Sequence, residues 1–85
     1  MKTFDFTVKE ELGIHARPAG MLTKEAKKYK STITLTKGDK TVNILKLMAL
    51  MGLGVKCGDT VTIKIEGEDE DTCAPVIEKF FNDNF

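Results

Sequence analysis

The stretch Gly13-Ile14-His15-Ala16-Arg17-Pro18 contains the only histidine and the only arginine of the chain, and a helical pattern follows it directly. Proline is tolerated in the first turn of a helix but not in its interior, so Pro18 predicts a helix that begins at about Ala16 or Arg17. His15 is then expected beside the N-cap, at the mouth of that helix. We interpret the rest of the chain as the scaffold that presents this stretch.

The first turn of a helix attracts anions. Its backbone N–H groups have no acceptor within the helix, and the helix dipole places partial positive charge there. An anion beside His15 would therefore be held by the main chain and by Arg17 together. A neutral imidazole nitrogen is also a nucleophile near pH 7. These features predict a phosphate site and lead to the hypothesis that His15 is itself phosphorylated.

These six residues alone leave other interpretations open. A single histidine at a helix N-terminus is more often an ordinary capping or surface residue, and a small anion or metal binder without turnover is a third possibility. A metal site is disfavoured because zinc takes three or four Cys, His or carboxylate ligands, whereas Cys57 and Cys73 belong to no such set. We expect no metal and no organic cofactor.

The length and composition of the chain limit its function. Its 85 residues suffice for one domain over residues 1–85, with one sheet and a layer of helices, but not for a deep enclosed active site. No run of about 18 apolar residues occurs and the N-terminus lacks an apolar leader, so we expect a soluble, unexported protein. Two cysteines without a pairing pattern favour a reducing cytoplasm.

Charge is unevenly distributed although the net charge is zero. Residues 1–60 contain 11 Lys or Arg and 6 Asp or Glu, whereas residues 61–85 contain 2 and 7. The half that includes His15 is therefore basic, which suits an acidic protein partner. The acidic C-terminal part argues against nucleic-acid binding. An ordinary solvated surface explains most of these charges equally well.

Four segments alternate apolar and polar residues with a period of two, which predicts four strands. Their apolar positions are Phe4, Phe6 and Val8; Ile33 and Leu35; Val42 and Ile44; and Val61, Ile63 and Ile65. The turn Lys37-Gly38-Asp39-Lys40 predicts a hairpin between the second and third strands.

Three segments have helical spacing. The first runs from Arg17 to about Tyr29, the second from Leu45 to Met51, and the third from about Asp71 onward, after an acidic lead. Their predicted buried positions are Ala19, Leu22, Ala26 and Tyr29 in the first helix, and Ala74, Ile77, Phe80 or Phe81, and Phe85 in the third. One antiparallel sheet covered by helices on one side accommodates this order of elements.

The second helix has more apolar residues than one face can bury. Leu47, Met48 and Met51 are predicted to form an exposed apolar patch, which is typical of a protein contact. The alternative, that these side chains only fill the core, is equally open at this point. Cys73 is predicted to be a core or partly buried thiol, because no basic residue adjoins it in the sequence.

The heptapeptide Gly13-Ile14-His15-Ala16-Arg17-Pro18-Ala19 resembles the signature G-[IL]-H-A-R-P-[AS] of the histidine-containing phosphocarrier (HPr) family of bacterial sugar phosphotransferase systems. The order of elements agrees over the whole chain. The resemblance implies an α+β fold, an open-faced β-sandwich with the order β-α-β-β-α-β-α. Its four-stranded antiparallel sheet has the strand order 1-4-2-3, and three helices cover one face.

The resemblance also implies a function. Enzyme I, charged from phosphoenolpyruvate, would transfer a phosphoryl group to Nδ1 of His15, and His15 would pass it to the IIA domains of sugar permeases. Ala16 and Arg17 match the positions that hold this phosphate through backbone N–H and guanidinium groups. The chain would be a carrier, not an enzyme, and we expect a monomer. The positions that match the partner-binding surface of the family are Met21, Lys24, Lys27, Leu47, Met48 and Met51.

The sequence departs from the family pattern at a few positions. Lys46 stands where many members have a regulatory serine, and since lysine cannot accept that phosphate, the sequence argues against control by the serine kinase. Leu45 replaces a common lysine, and Gly20 replaces a common alanine or threonine. These differences leave an alternative open, a related protein that regulates a partner by binding or serves a nitrogen-related phosphotransfer chain.

Overall fold

The strands and helices follow one another in the predicted order in the structure, a computed structural model that describes residues 1–85. They are β1 (Lys2–Thr7), α1 (Ala16–Ala26), β2 (Thr32–Lys37), β3 (Lys40–Asn43), α2 (Leu47–Gly52), β4 (Thr60–Glu66) and α3 (Glu70–Asn84). The predicted start of the first helix at Ala16 is confirmed.

The four strands form one antiparallel sheet in the order β1-β4-β2-β3, which confirms the topology that the resemblance implied. β4 lies inside the sheet, where Ile63 stands opposite Phe4 of β1 and Leu35 of β2. Side chains of alternate residues point to opposite faces of a sheet, so these apolar residues share one face. The helices pack on that face, and the threonine-rich opposite face is open to solvent.

A cluster of 19 buried apolar side chains fills the space between the sheet and the helices. Phe81 of α3 lies within it, with its ring centroid 5.5 Å from that of Phe6 and 5.2 Å from that of Phe85. Phe81 is fully buried, whereas Phe80 is only half-buried, which decides between the two positions that the sequence left open. These aromatic contacts fasten the C-terminal helix to the sheet.

Cys73 occupies the first buried position of α3, four residues before Ile77. The predicted position in this turn was the neighbouring Ala74, which is only half-buried. Burial raises the pKa of the Cys73 thiol to about 11, and the nearby carboxylates of Asp69 and Glu25 add to this effect. The prediction that Cys73 is a core thiol is therefore confirmed.

The first two helices differ from their predicted bounds. α1 ends at Ala26 and not near Tyr29, because the amides of Lys28 and Tyr29 bond to carbonyls three residues back and tighten the last turn. α2 begins at Leu47 and not at Leu45. The side chain of Asn43 accepts a hydrogen bond from the Leu45 amide at 2.9 Å, and this local turn competes with helix formation.

The remaining differences are single-residue shifts. β1 ends at Thr7, one residue before the predicted strand position Val8. Val8 is buried, and its amide donates a hydrogen bond to the Asp59 carbonyl, in the turn before β4, at 2.9 Å. α3 begins at Glu70, one residue before the predicted position, with Pro75 inside it. None of the three helices has the length and apolar character needed to cross a membrane.

Asp69 joins two distant connections at the end of the molecule where β2 and α3 begin. Its carboxylate accepts hydrogen bonds from the amides of Lys30 at 2.8 Å and Ser31 at 2.9 Å, and from the Ser31 hydroxyl. Gly67 lies against Ser31 so closely that a Cβ there would be 2.5 Å from the Ser31 Cα. The connection before β2 is therefore held to the connection before α3.

These hydrogen bonds lower the pKa of Asp69 below its usual value of 3.8, with the Ser31 hydroxyl as the largest cause. A carboxyl group whose pKa is depressed in the folded state stabilises the protein above the unfolded pKa, and this contribution is lost as the pH falls through the folded value. We expect Asp69→Asn to unfold at lower urea concentration at pH 7 and to lose less stability than the wild type below about pH 4.

Urea unfolding followed by circular dichroism across this pH range is the measurement. Asp39→Asn is the matched control because Asp39, in the hairpin turn, makes no ion pair and no side-chain hydrogen bond. It should unfold like the wild type. If Asp69→Asn lost as much stability at acid pH as the wild type, protonation of Asp69 would not be a cause of that loss.

Candidate functional site

The N-terminus of α1 leaves two backbone amides free. His15 is the N-cap, with extended backbone angles (φ −115°, ψ 173°), and the first helical hydrogen bond runs from the Ala19 amide to the His15 carbonyl at 3.0 Å. Pro18 has no amide hydrogen. The amides of Ala16 and Arg17 therefore remain without an acceptor inside the protein, next to the histidine.

The side chains of His15 and Arg17 are free of internal partners. The His15 ring is half-buried and makes no capping hydrogen bond, and the Arg17 side chain is exposed and joins none of the ion pairs. No acidic residue occupies the first turn of α1. A guanidinium group, two amides and the positive end of a helix dipole are thus available to an anion at His15.

An open cleft of about 260 Å³ is lined by His15 and Arg17, the two side chains predicted to act on the phosphate. His15, Arg17, Pro18 and Met21 contribute to it from α1 and its N-cap. The other contributors are Glu10, Asp83 and Asn84, from the loop after β1 and the end of α3. A cleft that is this open suits a group that must be reached by another protein surface.

The sequence did not predict the three residues from the loop and α3. Glu10 is five residues before His15, but Asp83 and Asn84 lie almost seventy residues after it. The packing of α3 on the sheet and on α1, and hydrogen bonds from the Lys9 and Glu10 amides to the Phe85 carbonyl, bring them near. The Asp83 carboxylate lies 2.6 Å from the Lys79 ammonium. This ion pair partly neutralises the negative charge that Asp83 places in the cleft. No local signal in the sequence marks this long-range contact.

Close packing of two loops fixes the position of His15. The Ile14 amide donates to the Val55 carbonyl at 3.2 Å, and Gly13 has a positive φ of 68°. A Cβ on Gly13 would lie 2.2 Å from the Val55 oxygen, which is closer than any side-chain atom can approach. Only glycine permits both the backbone angle and this approach. The glycine of the motif therefore anchors the histidine to the loop before β4.

Five of the six predicted partner-binding residues lie on two helices that pack against each other, and the sixth, Lys27, is the C-cap of the first helix. Met21 is 50% exposed and borders the His15 cleft, and Lys24 and Lys27, further along the chain, are exposed. The buried Thr23 hydroxyl donates to the Ile44 carbonyl at 2.8 Å, which ties α1 to the segment that leads into α2. This bond links α1, whose N-cap is His15, to the segment before the helix that carries the apolar patch.

The predicted apolar patch of α2 is only partly exposed. Met48 is 83% exposed, whereas Leu47 and Met51 are half-buried and pack against the core. Each of the two interpretations therefore applies to part of this set: Met48 is surplus apolar surface, and its two neighbours also contribute to packing. An exposed methionine adapts its shape to different surfaces.

Other parts of the molecule have fewer side chains suited to binding an anion or reacting with it. A cleft of about 290 Å³ between β1 and α3 is larger than the His15 cleft but contains no histidine or cysteine, and the Lys2–Asp71 ion pair joins two of its lining residues. No group of three or more His, Cys, Asp or Glu side chains is arranged to hold a metal ion. The His15 cleft is therefore the part of the molecule where a histidine, a guanidinium group and two free backbone amides occur together.

Comparisons with known proteins identify a family and related sequences. The family described as "PTS-HPr: PTS HPr component phosphorylation site" matches residues 2–83. The phosphocarrier protein HPr of Lysinibacillus sphaericus is 45% identical over 71 residues, which is 84% of this chain and 81% of that protein.

Solved structures also resemble this chain. A histidine-containing phosphocarrier protein from Mycoplasma superposes with a TM-score of 0.92 at 34% identity, covering 96% of this chain and 93% of the other. HPr-C-His from Thermoanaerobacter tengcongensis has a TM-score of 0.90 at 34% identity, covering 96% of this chain and 92% of the other. The similarity in fold therefore extends over nearly the whole length.

The contact of Gly13 with Val55 generates a stability prediction. Gly13→Ala would place a Cβ inside the Val55 oxygen and force a positive φ on alanine, so we expect it to lower the free energy of unfolding by at least about 2 kcal/mol. Gly20→Ala is the matched control, because no atom lies within 4 Å of its added Cβ. Within α1 this change should stabilise the protein by about 0.5–1 kcal/mol.

Chemical denaturation of both variants measures the difference. Equal stability of Gly13→Ala and the wild type would mean that the two loops are not packed as closely as the structure has them.

Proposed function

Since the chain belongs to the histidine-containing phosphocarrier (HPr) family of the phosphotransferase system, we propose that His15 carries a phosphoryl group from one protein to another. The donor is enzyme I charged from phosphoenolpyruvate, and the acceptors are IIA domains of sugar permeases. Members of this family are carriers rather than catalysts. The chain itself contributes a nucleophile and a binding cradle for the phosphate, with no cofactor of its own.

One observation carries this proposal: the unpaired donors that surround His15. The amides of Ala16 and Arg17 and the Arg17 guanidinium have no acceptor within the protein. Hydrogen-bond donors that are already in position stabilise developing charge without the cost of reorganising. A phosphoryl group on the imidazole would supply the missing acceptor oxygens. Phosphoryl transfer depends mainly on such positioning and charge stabilisation.

The transfer step is a displacement at phosphorus. The lone pair of Nδ1 of a neutral His15 ring attacks the phosphorus atom, and the new N–P bond forms as the bond from phosphorus to the donor group breaks. The electron pair of the broken bond leaves with the donor. Transfer to an acceptor repeats this exchange, with His15 now the leaving group. Ala16 and Arg17 hold the phosphoryl oxygens in both directions.

Both partners must reach the same ring, so we propose one shared docking surface beside it. It consists of Met21 and Met48, with Leu47 and Met51 beneath them and Lys24 and Lys27 at its edge. Exposed apolar side chains next to basic ones fit a partner with an apolar centre and acidic surroundings. This surface would bind enzyme I and the IIA domains in turn.

Lys46 is the N-cap of α2 and is exposed. Its positive charge lies at the positive end of the helix dipole, and its ammonium cannot accept a phosphoryl group in the manner of a serine hydroxyl. We propose that the carrier lacks the serine branch of regulation and that Lys46 adds to the basic edge of the docking surface.

His15→Ala tests the carrier directly. Incubation of the wild type with enzyme I and phosphoenolpyruvate should add one phosphoryl group that is lost in acid, and the variant should gain none. Intact-protein mass spectrometry provides the measurement. The variant should still fold because the His15 side chain makes no capping hydrogen bond in the structure. A wild type that stays unmodified where a known family member is charged would refute the proposal.

The same variant separates the carrier from the regulatory alternative. A protein that acts only by binding would control its partner equally well as His15→Ala, whereas a relay would lose its function with the histidine. Full function of His15→Ala would therefore favour the regulatory module.

Arg17→Ala removes one charge-assisted contact with the phosphoryl oxygens. We expect transfer to slow tenfold to a hundredfold, or by about 1.5–3 kcal/mol in activation free energy. Lys64→Ala is a control for net charge, since Lys64 lies on the open face of the sheet, away from the helices. It should transfer at the wild-type rate. Rapid-quench kinetics of phosphohistidine formation measures both, and an unchanged rate in Arg17→Ala would remove this residue from the mechanism.

A further inference from the structure

Lys37, at the end of β2, bridges both ends of the loop that precedes β4. Its ammonium donates to the Gly54 carbonyl at 3.0 Å and lies 3.1 Å from an oxygen of the Asp59 carboxylate. That carboxylate also accepts the Lys56 amide at 2.9 Å. One side chain therefore closes the loop 54–59 into a ring of hydrogen bonds.

This loop is the one that holds the histidine. The Val55 carbonyl, next to Gly54, accepts the Ile14 amide, and Val55 itself is buried. The contact leaves no spare room, since a Cβ on Gly13 would collide with the Val55 oxygen. If the loop moved at Gly54, Val55 would move with it and would shift Ile14 through their hydrogen bond. His15, the next residue, would then change position.

We propose that Lys37 and Asp59 are positioning residues for phosphoryl transfer, which fix His15 by holding the loop 54–59 against the Gly13-Ile14 backbone. The proposal rests on the carrier function proposed above. Neither residue lines the His15 cleft or touches the phosphate cradle. Their effect is expected through the backbone alone.

The Lys37–Asp59 ion pair is shielded from solvent enough to hold the loop 54–59 in place. The two side chains are 34% and 33% exposed, whereas most other ion pairs of this protein have at least one side chain exposed by 50% or more. Hydrogen bonds from the Lys56 amide and from Lys37 hold the pKa of the Asp59 carboxyl below its usual value of 3.8, so these contacts favour the ionised carboxylate. Small displacements of a reacting group reduce transfer rates, because the reaction requires near-attack geometry.

The variant Lys37→Met tests the inference, with two comparisons. Lys37→Arg keeps the charge and the donors. Lys40→Met removes a lysine from the same hairpin, but the Lys40 side chain makes no ion pair and no hydrogen bond. Comparison with Lys40→Met therefore separates the loss of the bridge from the loss of one positive charge.

Two measurements are made on each full-length variant. Hydrogen exchange by NMR compares the Ile14 amide with the Ile63 amide in the middle of the sheet, and rapid-quench kinetics with charged enzyme I gives the maximal transfer rate and the concentration for half-maximal rate. In Lys37→Met we expect exchange at Ile14 to rise about two- to tenfold relative to Ile63. The maximal transfer rate should fall by a similar factor, with no change in the half-maximal concentration.

Lys37→Arg should recover most of both effects, and Lys40→Met should match the wild type. The inference is overturned if Ile14 exchange in Lys37→Met equals that of the wild type, or if Lys40→Met slows transfer equally. A wild type that accepts no phosphate would refute the carrier function, while the exchange data would still decide whether Lys37 holds the loop.

Discussion

Pro18 carries no amide hydrogen, and this absence determines where the first helix begins. A proline ring is accepted in the first helical turn because the amides there have no internal acceptor. The helix accordingly starts at Ala16, and the amides of Ala16 and Arg17 remain free beside His15. Six consecutive residues therefore determine the start of the helix, the free amide donors and the position of the His15 side chain. The remaining elements keep this start rigid and accessible.

Rigidity comes from backbone contacts at the base of the motif. Gly13 brings the chain against Val55, and the Ile14 amide completes the contact. Accessibility comes from the placement of His15 and Arg17 at the end of a helix, outside the core of 19 buried side chains, whereas Ile14 between Gly13 and His15 belongs to that core. A small protein has too little interior for an enclosed site, so an open cleft at the surface is what a chain of this size can offer.

Much of the fold could be predicted because its signals are local. Alternation marked the four strands, Pro18 marked the start of α1, and the motif indicated the strand order through its resemblance to a family. The errors at helix ends also have local causes that periodicity does not record. The side chain of Asn43 delays α2, and bonds to carbonyls three residues back shorten α1.

The contacts that the sequence could not indicate join residues that are far apart in the chain. Asp69 binds the connection before β2, Lys37 reaches Asp59, and Asp83 arrives at the cleft of His15 from the other end of the protein. Each of these residues looks like an ordinary surface charge in the sequence. The periodicity of a sequence does not indicate the partner of a charged side chain, so only the folded chain reveals these contacts.

The central claim is that the amides of Ala16 and Arg17 hold the phosphoryl group on His15. Amide proton resonances in a ¹H–¹⁵N spectrum, recorded before and after charging with enzyme I and phosphoenolpyruvate, test it most directly. A new hydrogen bond to a phosphate oxygen moves an amide proton downfield, so these two resonances should move downfield more than those of any other residue. Complete phosphorylation of His15 with both resonances unmoved would contradict the account.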